Sequence, residues 1–165
     1  LGLAEIGAVA WIPFAVSDAA NFISGYVSMR LERAGWSANR TRKTLMVSAA
    51  LLSPIGALAP YAPSLTQTVA LLSVTVFIWT FWSVSVHSLA GDYFPKQWVG
   101  SAYAIGGTGS TLGSVISTWA VGRTLDVTHS YTPVIVAIAL VMPVAMACGM
   151  PLMGRVEPIT IEDPR

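Results

Sequence analysis

The chain has 165 residues, of which 54% are apolar and only 10% charged, with a mean hydropathy of +0.65 and a formal net charge of +1. A soluble domain covers its water-facing surface with about a quarter charged residues, so this composition excludes a soluble enzyme and makes lipid the expected solvent. The single cysteine, Cys148, excludes a disulfide framework or a cysteine-based metal centre. No nucleophile–base pair and no ligand cluster stands out, so neither catalysis, a metal, a cofactor nor a nucleic-acid partner is expected.

An α-helix needs about 20 apolar residues to cross the hydrocarbon core, and five runs of that order follow one another. They predict an all-α integral membrane bundle with spans near 6–29, 44–62, 66–90, 98–121 and 133–153. The chain starts at Leu1 without an initiator Met and without a signal-peptide pattern. It is therefore expected to be a fragment whose upstream part holds further helices.

In the first span Phe14, Asp18, Asn21, Gly25 and Ser28 step by four, three, four and three, forming one polar stripe. A carboxylate at membrane depth needs a partner or a proton. Asp18 is thus either a proton-coupling or substrate-contacting acid, or a structural group bonded to a neighbouring helix. Five of the nine basic residues, Arg30, Arg33, Arg40, Arg42 and Lys43, then crowd into the segment 30–43, which reads as a basic loop.

The second span carries only scattered Ser and Pro. In the third, Thr80, Ser83 and His87 form a stripe beside Trp79, Trp82 and Ser85. Trp82 lies too deep for an interfacial belt and suits a sugar ring or a polar ligand. His87 belongs to the residue type that changes charge near neutral pH; its alternative is a satisfied packing role. The fourth span has the stripe Tyr103, Gly106, Ser110, Gly113 and Ser117. Gly109 and Gly113 make a GxxxG, which also serves close helix packing, and the Gly-rich run lies in an apolar span instead of a nucleotide-binding strand–helix turn. The fifth span, like the second, has no polar stripe. Spans one, three and four are therefore expected to face a cavity, and spans two and five to sit at the periphery against lipid.

The positive-inside rule places the basic segment in the cytoplasm. By alternation the start of the chain is external and the tail 154–165 cytoplasmic. Of the nine Lys and Arg residues, only Arg123 then falls outside. The expected location is an inner or plasma membrane, crossed several times.

The stretch from Trp82 to Gly113 resembles the tenth and eleventh helices of the anion:cation symporter family of the major facilitator superfamily, most closely its hexuronate transporter branch. The D-x-F-P-K-x-x-V-G-S loop of that family is matched by Asp92, Phe94, Pro95, Lys96, Val99, Gly100 and Ser101, and its I-G-G helix by Ile105, Gly106 and Gly107. A second match is W-I-P-F at Trp11 to Phe14 with Asp18 following, then R-L-x-x-x-G-W-S-x-N-R-x-R-K at Arg30 to Lys43. The resemblance implies helices eight to twelve of a twelve-helix transporter, completed by N-terminal helices absent from this sequence. It implies proton-coupled import of a hexuronate or related sugar-acid anion by alternating access. It points to Trp82, Ser83 and Ser85 as substrate contacts, with Ser110 near a further polar position; His87 and Asn21 join them as candidates, and Asp18 as the coupling candidate. Gly25, Arg30, Arg40, Arg42 and Lys43 resemble the gating motif, although Met29 stands where that motif has an Asp. His87 also departs from the apolar residue common in the hexuronate branch. The alternative expectation is a non-transporting membrane protein, either a transporter-derived sensor or a truncated gene remnant.

Overall fold

The computed structural model describes residues 7–154, so the expected external start at Leu1 and the tail from Arg155 lie outside the described residues. The long elements are α1 (Ile12–Arg33), α2 (Ala38–Leu52), a 3-10 segment (Ser53–Tyr61), α3 (Leu65–Tyr93), α4 (Lys96–Thr128) and α5 (Thr132–Leu152). The protein is all-α, and among the described residues there is no strand.

Local chemistry explains where each helix stops. At the end of α1, Gly35 takes φ +87°, the Gly35 amide donates to the Glu32 carbonyl and the Trp36 amide to that of Leu31. This is a Schellman turn, which needs glycine at its left-handed position. Ser37 and Ser64 cap α2 and α3, each accepting from the amide three residues on at 3.3 Å. Phe94 is extended because Pro95 follows it, and this corner separates α3 from α4.

These termini correct two sequence expectations. The basic segment 30–43 is not a loop, because only residues 34–37 are non-helical. Arg30 and Arg33 occupy the last turn of α1, where the helix dipole favours cations. Arg40, Arg42 and Lys43 fall in the first turns of α2, where the dipole opposes them and they need other partners. Second, the run 44–62 is not one α-helix. Pro54 cannot donate to the ladder and crowds the preceding turn, so α2 ends at Leu52 and continues as 3-10 through Tyr61. The fourth helix is also longer than expected, reaching Thr128 and ending on left-handed His129.

Among the described residues, three stretches are long and apolar enough to cross a membrane: 38–61, α3 and α5, with mean hydropathies of 1.4, 1.9 and 2.3. The 29 residues of α3 extend about 43 Å, more than the hydrocarbon thickness of roughly 30 Å. The polar stripes of α1 and α4 keep those two helices below that hydropathy.

The packed core joins α2, α3 and α5. Met46, Ala49 and Ala50 meet Ile78, Met142 and Met146, with Trp82 and Leu89 alongside. The two spans expected at the lipid periphery thus supply most of the buried apolar residues of the described chain. Small Ala and flexible Met side chains fill such a seam without polar groups to satisfy. At Gly56 an added Cβ would stand 2.9 Å from the Thr75 hydroxyl, so the 3-10 segment rests almost directly on α3. Buried Ser53 donates to the Ala139 carbonyl at 2.9 Å and fastens the same segment to α5.

On another flank α1 lies along α3, burying Ala20, Ser24 and Ser28. The Ser17 and Thr80 hydroxyls share a hydrogen bond of 2.8 Å between the two helices. The contrast is α4, which buries no residue along its length.

Candidate functional site

Between the second half of α3 and the first half of α4 lies a cleft of about 460 Å³, within the range of small-molecule sites. His87, Ala90 and Tyr93 line it from α3, and Tyr103, Gly106 and Ser110 from α4. The hairpin at Phe94–Pro95 makes this juxtaposition, since residues equally far on either side of the corner come to face one another.

His87 is held by both helices. The Tyr103 hydroxyl donates to the His87 carbonyl at 2.6 Å, and the two rings stack with centroids 6.1 Å apart and planes 14° from parallel. His87 Nδ1 lies 2.7 Å from the Ser83 carbonyl and 3.2 Å from the Ser83 hydroxyl. A carbonyl oxygen only accepts, so Nδ1 carries the proton and, in the neutral ring, Nε2 is the acceptor. No hydrogen bond to Nε2 forms among the described residues. Along α4, Thr108 and Thr111 return their hydroxyls to carbonyls of their own helix. Ser110 makes no such bond among the described residues and keeps its hydroxyl available to the cleft. A Cβ at Gly106 or Gly107 would meet nothing within 4 Å, so this wall is open.

The other candidates are placed differently. Trp82 is half-buried and packs against the Met and Ala core, not into the cleft. Ser85 is 1% exposed, with its hydroxyl on the Phe81 carbonyl. Both placements follow from helical phase, which turns these two positions of α3 away from the cleft, Trp82 toward the apolar packing of α2 and α5. Ser83 stands behind His87 and orients its ring. Asp18, Asn21 and Gly25 lie exposed on α1, away from the cleft lining. Asn21 donates to the Ser17 carbonyl at 3.2 Å, and Asp18 has no hydrogen bond or ion pair among the described residues. Comparison with family models, curated proteins and solved structures yields no match.

The basic residues assemble at the end of the bundle where α1 stops and α2 begins. Arg42 is the hub: Nε donates to Asp92 of α3 at 2.8 Å, Nη2 lies 3.5 Å from Glu32 of α1, and Nη1 donates to Ser28. Its side chain is 13% exposed, so three helices meet on one largely desolvated guanidinium. Lys43 donates to the Gly154 carbonyl and Tyr93 to that of Met153, tying α2 and α3 to the end of α5. Arg40 stacks over Trp36 at 4.0 Å, and Arg30 donates to Tyr26 at 2.8 Å. Gly25 does not join this cluster. Asp92 and Glu32 supply the acidic partners that Met29 cannot. Reasoning from sequence missed those acids, as well as Tyr103 and Ser17 as inter-helix partners. For Tyr103 the available signal was its distance from Pro95, equal to that of His87 on the other arm.

Proposed function

We propose that this chain belongs to a secondary active transporter that couples proton entry to import of a hexuronate or related sugar-acid anion, as the resemblance to the anion:cation symporters of the major facilitator superfamily implies. In this reading all five long helices cross the membrane as helices eight to twelve of the transporter. The Arg42 end is cytoplasmic, and N-terminal helices of the same transporter complete the cavity. The observation that carries the reading is the α3–α4 cleft. It brings a histidine, a tyrosine and a free serine hydroxyl together in a lining that is otherwise largely apolar. Polar groups at such depth are costly and mark ligand pathways, while the apolar remainder of the lining suits the carbon face of a sugar acid.

The test is uptake of radiolabelled galacturonate and glucuronate by cells expressing the full-length transporter that contains this chain, with and without an inward proton gradient. Accumulation that rises with the gradient and collapses with a protonophore is expected. Uptake equal to that of cells lacking the protein contradicts the reading.

A further inference from the structure

We infer that the outer groove between α2 and α5 binds an anionic phospholipid of the cytoplasmic leaflet, its phosphate on Arg40 and Lys43 and an acyl chain along the apolar floor. This takes from the transporter reading only that α2 and α5 are outer helices with the Arg42 end in the cytoplasm; it does not depend on what is transported. The period of α2 builds the groove. Arg40, Thr44, Ser48 and Leu51 step by four, four and three along one face. That face is exposed, whereas Leu45, Met46, Ala49 and Ala50 of the same helix are buried. Two adjoining hollows follow it. The first, of about 310 Å³, is lined by Lys43, Thr44 and Ser48; the second, of about 270 Å³, by Pro143 and Ala147 of α5; Val47, Leu51 and Met150 are common to both. Along the groove, cations give way to hydroxyls and then to bare apolar side chains, the order of headgroup, glycerol region and acyl chain in one leaflet. From Arg40 to Leu51 the helix rises about 16 Å, close to half the hydrocarbon thickness of roughly 30 Å.

Charge decides which lipid fits. Arg42 is neutralised by Asp92 and Glu32, but among the described residues neither Arg40 nor Lys43 has an acidic partner. Lys43 donates to the neutral Gly154 carbonyl, which leaves two of its three ammonium donors. Arg40 lies with its guanidinium over the Trp36 ring at 4.0 Å, an arrangement that keeps the edge carrying its donors open. Both cations stand in the first turns of α2, where the positive end of the helix dipole opposes them and favours an anion. A phosphate between them relieves both conflicts. The Thr44 hydroxyl makes no hydrogen bond among the described residues and is left to donate to a phosphate or ester oxygen. Ser48 donates to the Leu45 carbonyl at 2.8 Å and keeps its lone pairs for a glycerol hydroxyl. A zwitterionic headgroup carries its own cation beside the phosphate and gains less from this mouth. Free phosphate would meet the same two cations but leave the apolar floor uncovered, which is the reason for assigning the groove to a lipid.

The test uses the full-length transporter that contains this chain, in phosphatidylcholine nanodiscs with a trace of phosphatidylglycerol bearing a photoreactive diazirine on its acyl chain. Illumination should label residues 44–51 of α2 and 143–150 of α5. Unlabelled phosphatidylglycerol should compete for that labelling at least about fivefold better than phosphatidylcholine or inorganic phosphate. Arg40→Gln and Lys43→Gln should each weaken its competition about fivefold, while labelling by a phosphatidylcholine probe stays unchanged, as it would not in a misfolded protein. Lys43→Arg should behave as the wild type. Equal competition by the two lipids, competition by inorganic phosphate as strong as that by phosphatidylglycerol, or a preference untouched by both substitutions overturns the site. Disulfide-linked dimers of Leu51→Cys on a Cys148→Ser background that exclude the probe assign the groove to a second copy of the chain and overturn it as well. All of these results leave sugar-acid uptake untouched, and absence of uptake with groove labelling intact overturns the transport reading alone.

Discussion

The two sides of α3 are built on opposite principles. Toward α2 and α5 it meets a seam of Met and Ala, with Gly56 pressed onto Thr75 and Ser53 bonded across to α5. Toward α4 it meets a helix of 33 residues that buries none of them and leaves its glycines in open space. Helices in lipid associate through close packing and a few hydrogen bonds, since the tails are as apolar as leucine. The first side therefore supplies rigidity. The second keeps a cleft.

The largest effect expected from breaking this contrast is in the seam. Met142→Ala removes a 5% exposed side chain from its centre and should cost about 2–5 kcal/mol, read from unfolding in mixed micelles. Leu112→Ala, on α4 at 62% exposure, should change stability by less than about 0.5 kcal/mol. Equal losses at the two positions would mean that α4 is packed as tightly as the seam. Next comes Arg42→Ala, which leaves Asp92 without its partner at the junction of three helices and should cost about 2–3 kcal/mol. Asp92→Asn should cost less than Arg42→Ala, because Arg42 retains Glu32 and Ser28. Gly56→Ala forces Thr75 aside, although its hydroxyl is anchored to the Leu71 carbonyl at 2.8 Å, and should cost about 1–3 kcal/mol. The smallest effect is that of Ser17→Ala, which deletes one hydroxyl bond between α1 and α3 and should cost about 0.6 kcal/mol.

Much of this architecture is legible in the sequence because long apolar runs leave few alternatives. The expected limits of the third and fifth runs lie within three residues of α3 and α5, where Ser64, Pro95 and Pro133 punctuate the chain. Other features depend on partners far away in sequence. The basic segment looks like a solvated loop until Asp92, 50 residues on, accounts for Arg42 within a helix. Trp82 and Ser85 stand beside Ser83 and His87 in the sequence, yet helical phase sends the first pair into the packed interior and keeps His87 at the cleft wall with Ser83 behind it. A polar stripe shows which face of α4 is unusual. It does not reveal that the helix stands almost free, because openness is set by what neighbouring elements fail to cover.

The most direct measurement is accessibility of the cleft in the membrane-embedded protein. On a Cys148→Ser background, which removes the native exposed thiol, Ser110→Cys should react readily with a water-soluble anionic thiol reagent, and saturating galacturonate should suppress most of that reaction. Ser85→Cys, in the packed interior, should stay unreactive. A Ser110→Cys thiol as inert as that at position 85, or one that no sugar acid protects, would contradict the placement of an anion between α3 and α4.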